Sequence, residues 1–308
     1  MTLQTLRYFC EIAAQGWNIS HAAKSLHTSQ PGMSRQMHAL EQELGVRVFA
    51  RSRNRIVGLT GPGRAALAMA TRILADTAKL KTLGSDYADE ASGSLTVAAT
   101  HTQARYVLPN AVKRFTRAHS DVQLYLKQGI PSELVQLVAN GDADLSVSAM
   151  PSQLPESVVM LPCFDVDRIV VVPARHPLLK LHPLTLERIA QYPLITYDQT
   201  FGLRENILSR FERAGLSPKV VINAVDTDVM KTYAAAGLGI AIIPAVAFDR
   251  RADRQLRAIH AGELLGRDTI YLGLRRHTYL RRFAFDFIHL FAPNVTAAAV
   301  ADAVDLQV

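Results

Sequence analysis

Cysteine is scarce in this 308-residue sequence: Cys10 and Cys163 stand far apart and form no CxxC pair. That excludes a disulfide framework and a cysteine-rich zinc site, and points to reduced thiols. Long apolar runs are missing as well. The longest, residues 238–248, is too short to span a bilayer and contains Pro244. The opening residues, MTLQTLRYFCEIAAQG, are amphipathic and charged, without the apolar core or small-residue cleavage site of a secretory signal. A cytoplasmic chain with no membrane association is expected. Catalytic signatures are lacking too. There is no GxSxG elbow, no Walker loop and no GxGxxG, and Gly237-Leu238-Gly239 lacks the third glycine inside an apolar run. His101 has no Cys, His or carboxylate nearby at metal-ligand spacing. The expectation is a protein that is not an enzyme and holds no metal or cofactor.

What is present supports a folded, multi-unit chain. Hydrophobic residues make up 49% and charged residues 20%, enough to bury sizeable cores, and the length suits two or three units. Formal net charge is +7, and it is unevenly spread. Residues 1–65 hold eight Lys/Arg against three acids, with Arg47, Arg51, Arg53 and Arg55 close together. A basic N-terminal fifth favours a polyanionic partner.

Periodicity predicts three short helices in the first sixty residues. Leu6, Phe9, Cys10 and Ala13 share one face, as do Ile19, Ala22, Ala23 and Leu26. The third helix opens at Ser29-Gln30-Pro31, buries Met33, Met37, Leu40 and Leu44, and ends at Gly45. Apolar pieces at 46–49 and 57–59 then flank a basic tip at 50–55, a two-stranded wing. From 62 to 83 the chain is helical, with Ala66, Ala70, Ile73, Thr77 and Leu80 along a seam. This predicts a homodimerising linker helix; the alternative is a helix packed on its own unit. A polar stretch follows at 86–93.

Beyond it, strands are expected at 95–100, 122–127, 143–148, 168–172, 194–197, 220–224, 240–243 and 269–274. Helices are expected at 102–119, 131–140, 185–190, 203–214, 227–236 and 279–291, with a helical tail at 296–304. Alternation of this kind indicates doubly wound parallel sheets. The expected α/β architecture has three parts: a winged helix-turn-helix at 1–60, a linker helix at 61–87 and a bilobed, periplasmic-binding-protein-like effector domain at 88–308. Its lobe I would span about 91–163 plus 269–295, and lobe II about 164–268.

The stretch ISHAAKSLHTSQPGMSRQMHALE, residues 19–41, carries the most information. It resembles the helix-turn-helix of LysR-type transcriptional regulators, with Ala22-Ala23 leading into TSQP-x-x-SRQ-x-x-x-LE. Leu44-Gly45-Val46-Arg47-Val48-Phe49 and Leu59-Thr60-Gly61-Pro62-Gly63 match the family's wing and linker entry. On residue chemistry alone, Gln30, Ser34, Arg35 and His38 face outward from the third helix, and Gln and Arg can grip base edges bidentately. Thr28 or Ser29 suits a phosphate at the helix start, while Arg51, Arg53 and Arg55 suit phosphate or a minor groove. Double-stranded promoter DNA is the expected partner.

Further segments resemble the CysB/Cbl subgroup: residues 100–106 (THTQARY), 226–233 (DTDVMKTY) with 237–239 (GLG), and 286–288 with 291–293. The resemblance implies a homotetrameric regulator of sulfur assimilation, acting with RNA polymerase. It would hold sulfate, adenylylsulfate or an acetylserine-like effector between its lobes. Thr100, Thr102 and Gln103, at a strand-to-helix junction, suit an oxyanion. Gln128, Thr196, Thr200 and Gly202 are the expected partners across the cleft, whereas Asp226-Thr227-Asp228 reads as a helix cap with a ligand role as the alternative. Ala149, Val166, Gly202 and Ile130 depart from the subgroup's pattern. Two hydroxyls and an aromatic are lost, which opens the identity of the ligand.

Overall fold

The computed structural model describes residues 1–53, 55–88, 92–198 and 202–304. The chain divides into two compact units, residues 1–88 and 89–308.

The first unit contains α1 (Leu3–Ala14), α2 (Ile19–Ser25), α3 (Gln30–Leu44), β1 (Phe49–Ser52), β2 (Arg55–Leu59) and α4 (Gly61–Ala88). Each of the first three helices starts on a side-chain cap: Thr2, Asn18 and Ser29 accept from the amides of Thr5, His21 and Gly32. Such a cap satisfies one of the donors that a helix start leaves free, and losing it costs roughly 1 kcal/mol. Gly45 ends α3 in the left-handed conformation, φ 67°. Phe9, Ile12, Met33, Met37 and Phe49 form the core, with the Phe9 and Phe49 rings edge-to-face at 5.4 Å. At Gly63 a side chain is impossible without rearrangement, because a Cβ would lie 1.9 Å from the Val48 carbonyl oxygen.

One expectation needs correction here. The wing strands occupy 49–52 and 55–59 rather than 46–49 and 57–59, so Arg51 and Arg55 lie in the strands and only the intervening turn is a tip. The pattern had assigned strand to apolar residues alone, whereas cross-strand pairing (Ser52 with Arg55, Arg51 with Ile56) extends through the polar ones. On α4, Ala70 is buried and Ala66 packs with Leu67 and Leu74 against the core of this same unit. Met69, Ile73 and Leu80 remain exposed.

The second unit runs β3 (Gly93–Ala99), α5 (Leu108–Ala118), β4 (Val122–Gln128), α6 (Pro131–Asn140), β5 (Leu145–Ser148) and β6 (Val158–Pro173). It continues α7 (Leu186–Ala190), β7 (Leu194–Tyr197), α8 (Gly202–Arg213), β8 (Val220–Ala224), α9 (Thr227–Ala235), β9 (Ile240–Pro244), β10 (Leu256–His260) and α10 (Gly262–Leu265). The last elements are β11 (Arg267–Arg275), α11 (Arg282–Phe291) and α12 (Ala297–Ala303). Strand order is β4-β3-β5-β11-β6-β9-β7-β8, with β10 added on β6. Both ends are parallel, β3 with β4 and β5, and β7 with β8 and β9. The middle is not. β11 runs antiparallel to β5 and β6, and β6 antiparallel to β9 and β10, so the sheet is mixed rather than parallel throughout.

β6 explains the difference. The expected strand at 168–172 is the second half of a 16-residue strand. Its first half pairs with β11 in lobe I and its second half with β9 and β10 in lobe II. The lobe boundary expected at 163/164 therefore falls inside one continuous strand. Each lobe has its own core, one around Leu95, Phe115, Leu272 and Phe287, the other around Val171, Ile195, Phe211 and Ile242.

The helix expected at 102–119 also differs. The chain is helical from His101 to Ala118, but Gln103–Val107 winds as a π turn ahead of α5. Such turns insert an extra residue and shift the side chains that follow, and they concentrate at functional sites.

Candidate functional site

In the first unit, the buried stripe of α3 (Met33, Met37, Leu40) leaves Ser29, Gln30, Arg35 and His38 exposed and Ser34 half-exposed. Arg53 and Arg55 are exposed on the wing, Arg53 with φ 46°. Three residues of this set have local partners, Ser29 among them as the cap of α3. The Thr28 hydroxyl accepts from Tyr8 Oη at 3.4 Å, and Arg51 Nη2 lies 3.3 Å from Glu41 Oε2. Sequence reasoning missed Glu41. It is buried at the end of the α3 stripe, and its Oε1 accepts from the amides of Val48 (2.9 Å) and Phe49 (3.1 Å). One carboxylate thus ties the wing to α3. The acidic residue after Leu40 was the signal, since a charge on a buried face needs partners.

In the second unit a small cavity lies where the lobes meet. It is lined by Thr100, Thr102, Gln103, Pro131, Ala149, Val166, Tyr197, Val225, Pro244, Asp268 and Ile270, and its volume is about 30 Å³, room for a water or two. Three of the expected effector residues are there. Thr100, Thr102 and Gln103 are all at least nine-tenths buried. The Ala104 amide bonds to the Thr100 carbonyl at 2.9 Å, so Thr100 stands at the cap and the amides of the next three residues precede the first intrahelical bond. Gln103 Oε1 is buried without a hydrogen-bond partner among the described residues.

Of the other four expected residues, Gln128 and Thr196 are not gathered there. Gln128 is exposed at the end of β4 and lines a separate open groove with Ser132, Glu133 and Gln136. Thr196 is fully buried, but it is the next residue, Tyr197, that faces the cavity. Neighbouring side chains on a strand point to opposite faces, which sends Thr196 the other way. Gly202 is the first residue of α8, and Thr200 lies outside the described residues. Two of the residues that depart from the subgroup's pattern, Ala149 and Val166, do line the cavity, so its wall is apolar where hydroxyl and aromatic groups were expected.

A polar seam joins the lobes beside this cavity. Thr102 Oγ1 is 2.9 Å from Thr227 Oγ1, which is in turn 3.1 Å from Tyr197 Oη. One turn on, Tyr106 Oη donates to Asp228 Oδ1 at 2.5 Å, and Arg105 Nε lies 3.1 Å from Asp228 Oδ2. Lys231 Nζ reaches Tyr106 Oη (2.8 Å), Asp228 (3.1 Å), Asp253 (3.1 Å) and the Ala247 carbonyl (2.8 Å). His101 Nδ1 stands 3.9 Å from Asp226, which caps α9 through the amides of Asp228 and Val229. Burial works to raise the Asp228 carboxyl, yet hydrogen bonds from Tyr106 and Lys231 and the nearby cations hold it below its usual range. Burial likewise works to lower Lys231, and its bonds to Tyr106, Asp228 and Asp253 hold it above its ordinary value. Sequence reasoning had taken THTQARY as one wall of a ligand site. Its first half lines the cavity, and its second half clamps onto α9.

At the base of the cavity, where β6 and β11 cross between the lobes, Arg168 is fully buried. Its Nε donates to Asp268 Oδ2 at 3.0 Å, its Nη2 to Asp268 Oδ1, and its Nη1 to the Leu265 carbonyl at 2.6 Å.

Residues 3–64 match the bacterial regulatory helix-turn-helix protein of the lysR family, and residues 88–295 match the LysR substrate binding domain. The chain belongs to the LysR family. It is 42% identical over 303 residues to the HTH-type transcriptional regulator CysB of Burkholderia cenocepacia, covering 98% of this chain and 97% of that one. It is 42% identical over 301 residues to SsuR of the same species, covering 98% of each. The solved cofactor-binding domain of the Cbl transcriptional regulator superposes with a TM-score of 0.66 at 37% identity, over 70% of this chain and 95% of that one. This LysR-family chain is therefore a DNA-binding transcriptional regulator with an effector-binding domain. Among the described residues no helix is long and apolar enough to cross a membrane.

Proposed function

We propose that this LysR-family regulator controls genes of sulfur acquisition, and that a small oxyanion-bearing, sulfur-related effector bound between its lobes sets its activity. The carrying observation is the cavity at the lobe junction, where Thr100, Thr102 and Gln103 meet with an orphaned amide oxygen. Similarity to CysB and SsuR along nearly the whole chain supports the sulfur role. Sulfate, adenylylsulfate and acetylserine are the effectors to try first. With room for only a water or two, we take the described arrangement as the closed one. An effector that binds a more open arrangement better shifts the population toward it.

Promoter DNA is read by Gln30, Ser34, Arg35 and His38 from α3, with Thr28, Ser29, Arg53 and Arg55 on phosphate or in the minor groove. Arg51 divides its charge between DNA and Glu41. The exposed Met69, Ile73 and Leu80 of α4 suit pairing with a second copy, and homotetramers that contact RNA polymerase follow from the family reading. The chain works in the cytoplasm and catalyses no reaction. The test is a gel shift on DNA upstream of its own gene: a salt-sensitive, sequence-preferring complex altered by one of those effectors is expected. Absence of any such complex overturns the reading. A second reading, control of another pathway by a different ligand, is favoured by Ala149 and Val166 in the cavity wall. A thermal shift with a non-sulfur metabolite and none with the sulfur compounds would establish it.

A further inference from the structure

Three features of the cavity constrain the charge of what it holds. The first is Asp268. It lines the cavity, is 4% exposed, and accepts one hydrogen bond on each oxygen, both from Arg168. An ionised carboxylate has about four acceptor sites, so roughly half of its capacity is unused. The second is the set of lining residues, which among the described residues includes no Lys, Arg or His. Arg168 bonds Asp268 through Nε and Nη2 and the Leu265 carbonyl through Nη1, and it is not among the residues that line the cavity. The third is Gln103, 3% exposed, whose amide oxygen is orphaned among the described residues. A side-chain amide can present either its oxygen or its nitrogen, so this orphan marks a missing partner of either polarity.

Thr100, Thr102 and Gln103 form one end, where hydroxyls and a side-chain amide can meet an oxyanion. Asp268, its charge offset by Arg168, forms an end whose oxygens accept rather than donate, and Val166, Ile270, Val225, Pro131 and Pro244 supply apolar wall. In a site this buried, placing a dianion beside a carboxylate costs more than it does in solution. A donor group on the ligand turns that repulsion into a charge-assisted hydrogen bond.

We propose that the cleft takes a dipolar small molecule, with its oxyanion at the Thr100–Gln103 end and an ammonium or other donor on Asp268. This rests on the effector reading above. It makes Asp268 a specificity-determining residue that discriminates against inorganic sulfate, and Arg168 the residue that positions it.

Matched pairs test this in the full-length chain by titration calorimetry: 2-aminoethanesulfonate against ethanesulfonate, and 3-aminopropanesulfonate against propanesulfonate, with sulfate as the dianion. The expected result is at least ten-fold tighter binding of one amino compound than of its partner or of sulfate. Asp268→Asn should abolish that preference. In case this variant fails to fold, Gln103→Met should weaken both members of a pair together while the amino preference survives. Equal or tighter binding of the amine-free compounds or of sulfate overturns the proposal, as does failure of both amino compounds to bind. The regulator reading fails separately. A chain that shifts promoter DNA and responds to sulfate, but ignores the aminosulfonates, overturns only the dipolar ligand.

Discussion

The hydroxyl of Tyr106 in lobe I and the carboxylate of Asp228 in lobe II are 2.5 Å apart. Lys231 bonds to both and Arg105 to the second, so four side chains lock the lobes together without a ligand. Asp228→Asn should loosen the closed arrangement, because it removes the charge that holds Arg105 and Lys231. Hydrogen exchange should quicken around 101–107 and 227–235, and the effector should bind more tightly, since less closure has to be undone. Unchanged exchange in both segments would refute the lock.

The same seam has a pH window. The Asp228 carboxyl is held low, so its contribution is complete above the ordinary aspartate value of about 3.9 and is lost as pH falls through the folded value. The Lys231 ammonium is held high, so its contribution is complete below about 10.4 and is lost as pH rises through its folded value. Exchange protection of the seam should be flat between about pH 4 and 10 and decline outside. A steep change inside that window would overturn the assignment to these two groups.

On DNA, Arg35→Ala should cost roughly 1–3 kcal/mol at the cognate site and little elsewhere, the mark of a base contact. Arg53→Ala should weaken binding to all sequences about equally and reduce the salt dependence by about one ion. Fluorescence titrations with specific and scrambled duplexes at several salt concentrations separate the two. Equal loss on both duplexes for Arg35→Ala would reassign it to phosphate.

Glu41→Ala should strip the Val48 and Phe49 amides of their acceptor and free Arg51. Leaving buried donors unpaired costs about 1–3 kcal/mol each, so the loss should exceed that of an ordinary surface change. The single tryptophan, Trp17, lies in the first unit, so urea denaturation followed by its fluorescence reads this unit alone.

Ala149→Thr restores a hydroxyl to the cavity wall. Stability without ligand should fall by about 1–3 kcal/mol for an unpartnered buried hydroxyl. Affinity for oxyanions should rise, measurable as a larger thermal shift with sulfate. Cys163, by contrast, should stay inert: burial pushes its thiol up to about 12, and alkylating reagents should label Cys10 first.

Helices and caps of the first unit were legible in the sequence because they rest on local signals. Ser29-Gln30-Pro31 and Gly45 are a start and a stop that act within one turn. The cleft was legible only in part. Thr100, Thr102 and Gln103 announce themselves at a strand-to-helix junction. Gln128 and Thr196 looked equivalent because they too sit near strand ends, yet the pleat turns Thr196 away and the edge position exposes Gln128. Arg168 and Asp268, a hundred residues apart, meet only through the pairing of β6 with β11, which periodicity does not encode. The antiparallel middle of the sheet escaped for the same reason.

β6 belongs to both lobes, and a torsion bar describes its role. One unbroken run of peptide bonds, anchored by ladders at each end, turns any change at one end into rotation at the other. Opening the cleft must therefore twist this strand rather than bend a slack connection. Substitutions that soften the middle of β6 should therefore make opening easier.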